Sequence, residues 1–172
     1  MAKHEGMKAL GFQEPCASQI VTGAKTVECR SRKINVPVKD LVVCASKTPS
    51  HFKAVPGLAY GYAIGLIDVV SCERFRRRDL DAAMMDCMPG YEDMAWRLEN
   101  PRLIKPFPVH ATASFFYVQN EIQLIPSTLD AYMEEIFPIC REFDSEDAAK
   151  NAAQLFANPD TLLRMMNRKY GR

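Results

Sequence analysis

What most narrows the fold of this chain is a change of texture at Pro126. Before it lie segments of strand length, apolar or alternating, at residues 8–12, 26–31, 41–45, 58–72, 115–118 and 121–125, punctuated by glycine and proline. After it, apolar residues recur only at helical spacing. Strands that each bury one face need a second layer, or a sheet curled on itself, to cover it. The pattern therefore predicts an α+β protein: a small mixed β-barrel with short helices over residues 1–126, and a helical extension over residues 127–172. That extension is expected to pack on the barrel or on a partner.

Local signals fill in this outline. Ala17, Ile20 and Val21 sit at helical spacing, so residues 16–22 read as a short helix, and Gly23 stands where a helix-ending glycine belongs. Residues 26–31 alternate: Val27 and Cys29 face one way, Glu28 and Arg30 the other. Residues 32–40, with Pro37, read as a polar loop. Gly61 and Gly65 in the long strand mark a bend or a close backbone approach. Residues 74–88 read as a solvated helix with Phe75, Leu80 and Met84 on its inner face. Helices are expected at 128–136, at 145–157 with Ser145 as N-cap and Glu146 and Asp147 favouring its dipole, and at 161–169.

Bulk composition excludes several classes. Lys plus Arg total 22 against 21 for Asp plus Glu. That balance argues against coating long duplexes by charge but allows a focused basic cleft. No window approaches the ~18 consecutive apolar residues of a membrane span, and residues 1–8 lack the apolar stretch of a signal peptide, so a cytoplasmic protein is expected. The six cysteines form no CxxC pair, and no histidine stands at ligand spacing. No metal and no cofactor is expected.

The chemistry concentrates at Lys25, Glu28 and Arg30. Two apart on a strand, Glu28 and Arg30 share a face. They set a carboxylate beside a planar guanidinium fork suited to a phosphate or a base edge. Spacing alone favours an exposed ion pair of little weight. Trp96, the sole tryptophan, either stacks on a base or plugs the barrel end with Leu98. Glu99 and Asn100 either read a base edge or cap a turn before Pro101. Arg74, Arg76, Arg77 and Arg78 form the densest basic run, which fits a solvated helix face as well as a nucleic-acid backbone. His51 and His110 have no evident partners.

Three segments together resemble the ASCH family of the PUA-like superfamily. The first runs Leu10-Gly11-Phe12-Gln13-Glu14-Pro15-Cys16-Ala17, then Gly23-Ala24-Lys25-Thr26-Val27-Glu28-Cys29-Arg30, similar to that family's Gln-x-Pro-like turn and G-x-K-T-x-E-x-R signature. The second is Leu41 to Lys47, ending in Ala-Ser-Lys. The third is Trp96-Arg97-Leu98-Glu99-Asn100-Pro101 with Pro106-Phe107-Pro108-Val109. The chain departs from the pattern after Val109, where His110 to Phe116 lack the lysine and glycine common in relatives.

The resemblance implies a PUA-like barrel that binds RNA or a modified nucleoside in a cleft lined by the G-x-K-T-x-E-x-R segment. Carried over residue by residue, the binding positions are Gln13, Pro15, Lys25, Thr26, Glu28, Arg30, Lys47, Trp96, Glu99 and Asn100. An alternative follows from small bacterial ASCH-like amidohydrolases of N4-acetylcytidine. Lys25 would then be base or nucleophile and Glu28 its catalytic partner, with Glu92 or Glu99 as a further carboxylate and Arg30 steadying an oxyanion. Those enzymes carry threonine where this chain has Glu28, and a carboxylate there favours the charged amine over a neutral base. A third possibility is an adaptor or oligomer built on the tail through Met133, Ile136, Phe137, Leu162, Leu163 and Met166. The sequence leaves the oligomeric state open.

Overall fold

A computed structural model describes residues 5–49 and 54–158. His51, the helix expected at 161–169, and Leu162, Leu163 and Met166 lie outside the described residues. Seven strands form one mixed sheet: β1 (Met7–Phe12), β2 (Val27–Arg30), β3 (Val38–Ala45), β4 (Tyr62–Arg74), β5 (Met94–Pro108), β6 (Phe116–Val118) and β7 (Leu124–Ile125). The order is β2-β5-β4-β3-β1-β6, with β7 also pairing β5. β1 and β3 are parallel and all other pairs antiparallel.

The expected closed barrel is corrected by this order, which has two ends and forms no ring among the described residues. Side chains bridge the two ends instead. Arg30 on β2 donates to the Gly11 carbonyl on β1 at 2.8 Å, and Trp96 on β5 stacks on Phe115, just before β6, with centroids 6.1 Å apart. The last two strands also do not form a hairpin with each other: β6 pairs β1 and β7 pairs β5.

Alternation sorts β3 across the sheet. Leu41, Val43 and Ala45 enter the main core with Phe12, Ile20, Ile64 and Trp96, whereas Val42 and Cys44 join a second cluster with Leu66 and Ile104. The first helix, α1 (Cys16–Val21), buries five of its residues against the sheet. Gly65 permits this approach, because a Cβ there would collide with the Val21 side chain and the Arg102 carbonyl. Gly23, at φ +87°, ends α1 by donating to Ile20 O.

The helix expected at 74–88 is a short 3-10 turn, Arg77–Asp79, followed by turns. Its backbone is committed elsewhere: Ala82 O accepts from both Thr26 N and Val27 N. Asp79, buried, takes the Arg76 amide at 2.8 Å and the Arg97 guanidinium at 2.7 Å. Phe75 and Ala83 pack on Val27 and Ala95, covering the outer face of β2. The loop expected at 32–40 gives way to strand at Val38.

After β7 the chain is helical. Thr128 caps α2 (Leu129–Ala131) at 3.2 Å, and the turn continues as a π segment, Tyr132–Ile136, and a 3-10 segment, Phe137–Ile139. Helix α3 (Glu146–Ala157) has Ser145 at its N-cap position, although the Ser145 side chain makes no capping bond. Tyr132, Ile136, Cys140, Ala152 and Leu155 share the main core with the sheet. Asn151 donates to Pro56 O at 2.9 Å and Tyr132 to Gly57 O at 3.1 Å. No described helix is long and apolar enough to cross a membrane.

Candidate functional site

The loop leaving α1 brings Lys25 to the start of β2, where Lys25 N donates to Gln19 O at 3.0 Å. Its side chain is buried. Nζ donates to Ala83 O at 2.5 Å and lies 3.6 Å from Glu28 Oε2. Glu28 is itself buried and accepts from Arg30 Nε at 3.0 Å. One carboxylate thus bridges two cations. The strand alternation that set Glu28 and Arg30 on one face accounts for the second contact.

Arg30 is the partly exposed member of this chain. Its guanidinium is fixed by Glu28 and by Gly11 O, and lies 4.9 Å from the Phe12 ring centroid and 5.8 Å from that of Trp96. Such a cation is oriented before any ligand arrives, and each cation–π contact adds about 0.5–1 kcal/mol at a semi-exposed site. Trp96 faces Glu28 across the β2–β5 pair. It is only 1% exposed and donates Nε1 to Arg32 O at 3.0 Å. With no exposed face on which a base could stack, it supports Arg30 from beneath.

The other sequence-selected positions scatter. Gln13 and Thr26 are exposed and Pro15 is buried. Glu99 and Asn100 are exposed and lie opposite another cluster, where Asn100 Nδ2 meets Asp68 Oδ2 at 3.3 Å and Arg102 bridges Asp40 and Asp68. Lys47 lines a separate groove of about 430 Å³ with Tyr60, Tyr62, His110 and Arg141. The structure therefore brings Lys25, Glu28, Arg30 and Trp96 together, and leaves Lys47, Glu99 and Asn100 out. Glu92 is exposed and makes no ion pair with Lys25, whose only carboxylate partner among the described residues is Glu28.

Two residues beside the constellation escaped the sequence. Glu14, between Gln13 and Pro15, is 2% exposed and accepts from Ser18 N at 3.0 Å and Ser18 Oγ at 2.7 Å. Burial pushes its carboxyl up to about 7, the Ser18 bonds offsetting part of the shift. The i,i+4 spacing of Glu14 and Ser18 was the available signal. Cys16 lies within electrostatic reach of Lys25, Glu28, Glu14 and Arg30, and burial pushes its thiol up to about 11. At neutral pH it is a protonated thiol and a poor nucleophile. No group of three His, Cys, Asp or Glu able to hold a metal occurs among the described residues.

Comparison with solved structures finds chains of similar path. The ASCH protein from Zymomonas mobilis is 19% identical, with a TM-score of 0.48, over 65% of this chain and 87% of that one. A tyrosine-to-phenylalanine variant of it gives 17% identity and 0.44 over 66% and 91%, and a serine-to-alanine variant 16% and 0.46 over 66% and 89%. No curated protein sequence matches the chain. The model of the ASCH domain matches residues 10–108, a span that runs from within β1 to the end of β5, holds every member of the Lys25–Glu28–Arg30 constellation and makes up more than half of the sequence: the chain belongs to the ASCH domain family.

Proposed function

We propose that the protein binds a nucleic-acid component, an RNA segment or a modified nucleoside, at the face where the G-x-K-T-x-E-x-R segment meets β5, and that it does so as a recognition module. The observation that carries this reading is Arg30. It is partly exposed, held by Glu28 and Gly11, and flanked by two aromatic rings. A planar donor fork fixed this way suits a phosphate or a carbonyl-rich base edge. Lys25 and Glu28 lie behind it as its support.

The geometry supports recognition over deacylation. A lysine acting as base or nucleophile needs a free amine lone pair facing substrate. Lys25 is 4% exposed, and its amine is committed to Ala83 O and to the Glu28 carboxylate at 3.6 Å, so it presents no open face to a substrate.

Labelled single-stranded and hairpin RNAs, titrated at low salt and followed by fluorescence anisotropy, test the proposal. The wild-type protein is expected to bind. Arg30→Ala should weaken binding at least about tenfold, and Arg30→Lys should restore only part, because lysine lacks the fork. No binding of any RNA or of a free modified nucleoside at low salt, or turnover of N4-acetylcytidine that Lys25→Ala abolishes, would overturn it.

A further inference from the structure

A groove of about 460 Å³ opens where β2 ends and the β1–β6 edge begins. Its walls carry three cations, Lys8, Arg32 and Lys33, together with Ile34, Asn35 and Phe115. No carboxylate lines it among the described residues, although the whole chain balances 22 cationic against 21 acidic side chains. Positive charge is therefore segregated here.

The arrangement around Phe115 is the stronger observation. Lys8 Nζ lies 5.0 Å from the ring centroid and Arg32 Cζ 5.8 Å from the same centroid. Two cations sharing one ring repel each other, and a ring quadrupole returns only about 0.5–1 kcal/mol to each. None of the three groove cations forms an ion pair with a carboxylate of the described residues. An anion seated between them would relieve that repulsion.

The groove also continues the Arg30 site. Arg30 lies over Trp96, Trp96 stacks on Phe115, and Phe115 forms the groove wall. Cations next to apolar and aromatic surface match an unstacked nucleotide, which offers phosphate and base face together; a duplex hides its bases and offers phosphate alone. We infer that this groove seats the phosphate backbone of a single-stranded RNA whose neighbouring nucleotide reaches Arg30. The inference rests on the reading of the protein as a nucleic-acid binder and adds the path of the strand.

The test is anisotropy titration of a labelled oligouridylate across a range of salt, with wild type, Arg30→Ala and the triple variant Lys8→Ala, Arg32→Ala, Lys33→Ala. The triple variant should bind roughly tenfold or more weakly at low salt. Its slope of log K against log salt should fall by roughly 2, the loss of three phosphate contacts on a single strand. Arg32 and Lys33 are exposed, so the double variant without Lys8→Ala serves if the triple one melts early. Wild-type binding with an unchanged slope in these variants would overturn the inference while leaving the RNA-binding reading intact. Absence of wild-type binding would sink both. Displacement of the RNA by polyglutamate at equal charge concentration would also overturn it, marking a surface for acidic partners in general.

Discussion

Two buried carboxylates flank α1 and are treated in opposite ways. Glu28, after the helix, lies between Lys25 and Arg30. Glu14, before it, has only the Ser18 amide and hydroxyl, and it makes no ion pair among the described residues. Both are nearly inaccessible, at 8% and 2%. The difference is therefore one of partners, not depth. A buried acid between two cations is a fixed strut, and one with only neutral donors titrates near neutrality. The strut supports the Arg30 face. The titrating group stands over the tail, where its charge also raises the Tyr132 phenol and the Cys140 thiol, behind the dominant effect of burial.

The largest break in this comparison is Glu28→Ala. It leaves a buried ammonium without its carboxylate and frees Arg30, a class of change that costs about 3–5 kcal/mol. Urea unfolding at pH 7 measures it. Glu28→Gln, which keeps the shape and one acceptor oxygen for one of the two cations, should cost less. Equal losses from the two variants would mean that the carboxylate's charge, and not its shape, holds the strut.

Next is the pH dependence from Glu14. Its carboxyl shifts from the ordinary 4.5 to about 7 on folding. Below pH 4.5 it is neutral in both states, and its contribution is fully present. As pH rises from 4.5 to about 7 the unfolded chain loses this proton first, so stability falls, by roughly 3 kcal/mol in all, and is flat above that range. Glu14→Gln should remove this slope and gain stability at pH 8 relative to wild type. Denaturation midpoints at pH 5 and pH 8 read it out. A slope that survives the substitution would assign the titration to another group.

These two acids also show what sequence makes legible. Glu28 and Arg30 could be placed on one face because strand alternation is local, and Lys25 joined them through a recognisable motif. Glu14 was passed over, although its neighbours Gln13 and Pro15 were selected, because its burial depends on a core that includes Tyr132 from more than a hundred residues away. Residues 74–88 misled for the same kind of reason. Phe75, Leu80 and Met84 have helical spacing, but Ala82 O is taken by the Thr26 and Val27 amides, and tertiary hydrogen bonds outweigh propensity. Most strand runs were legible one by one, but the longest, β5 (Met94–Pro108), was not, because Pro101, Pro106 and Pro108 interrupt its pattern. Whether the sheet closed was not legible either, because that depends on the side-chain bridges from Arg30 to Gly11 and from Trp96 to Phe115.

A smaller effect probes the link between tail and sheet. Tyr132→Phe removes the hydrogen bond to Gly57 O and the contact with Cys140 Sγ at 3.6 Å. With the Gly57 carbonyl left buried, the expected loss is about 1 kcal/mol, seen as a lower urea midpoint with an unchanged m-value. A lower m-value would instead mean that the helical segment detaches before the sheet unfolds.

The smallest effect belongs to Asp68, the third acid, and it has the opposite sign to Glu14. Burial pushes its carboxyl up. The Asp40 amide at 2.9 Å, Asn100 at 3.3 Å and the Arg102 guanidinium at 2.9 Å pull harder, and the net shift is downward. Its contribution is therefore present above the ordinary carboxylate range and is lost as pH falls through the lowered value. Arg102 also holds Asp40, at 2.5 Å, so Asp68→Asn strands no cation and should cost under about 1 kcal/mol at pH 7. The wild-type stability curve should then fall on both sides, with Asp68 on the acid limb and Glu14 on the limb toward neutrality. Asp68→Asn should soften only the first and Glu14→Gln only the second. If Asp68→Asn were as costly as Glu28→Ala, the number of cations around a buried acid would not set its weight in this fold.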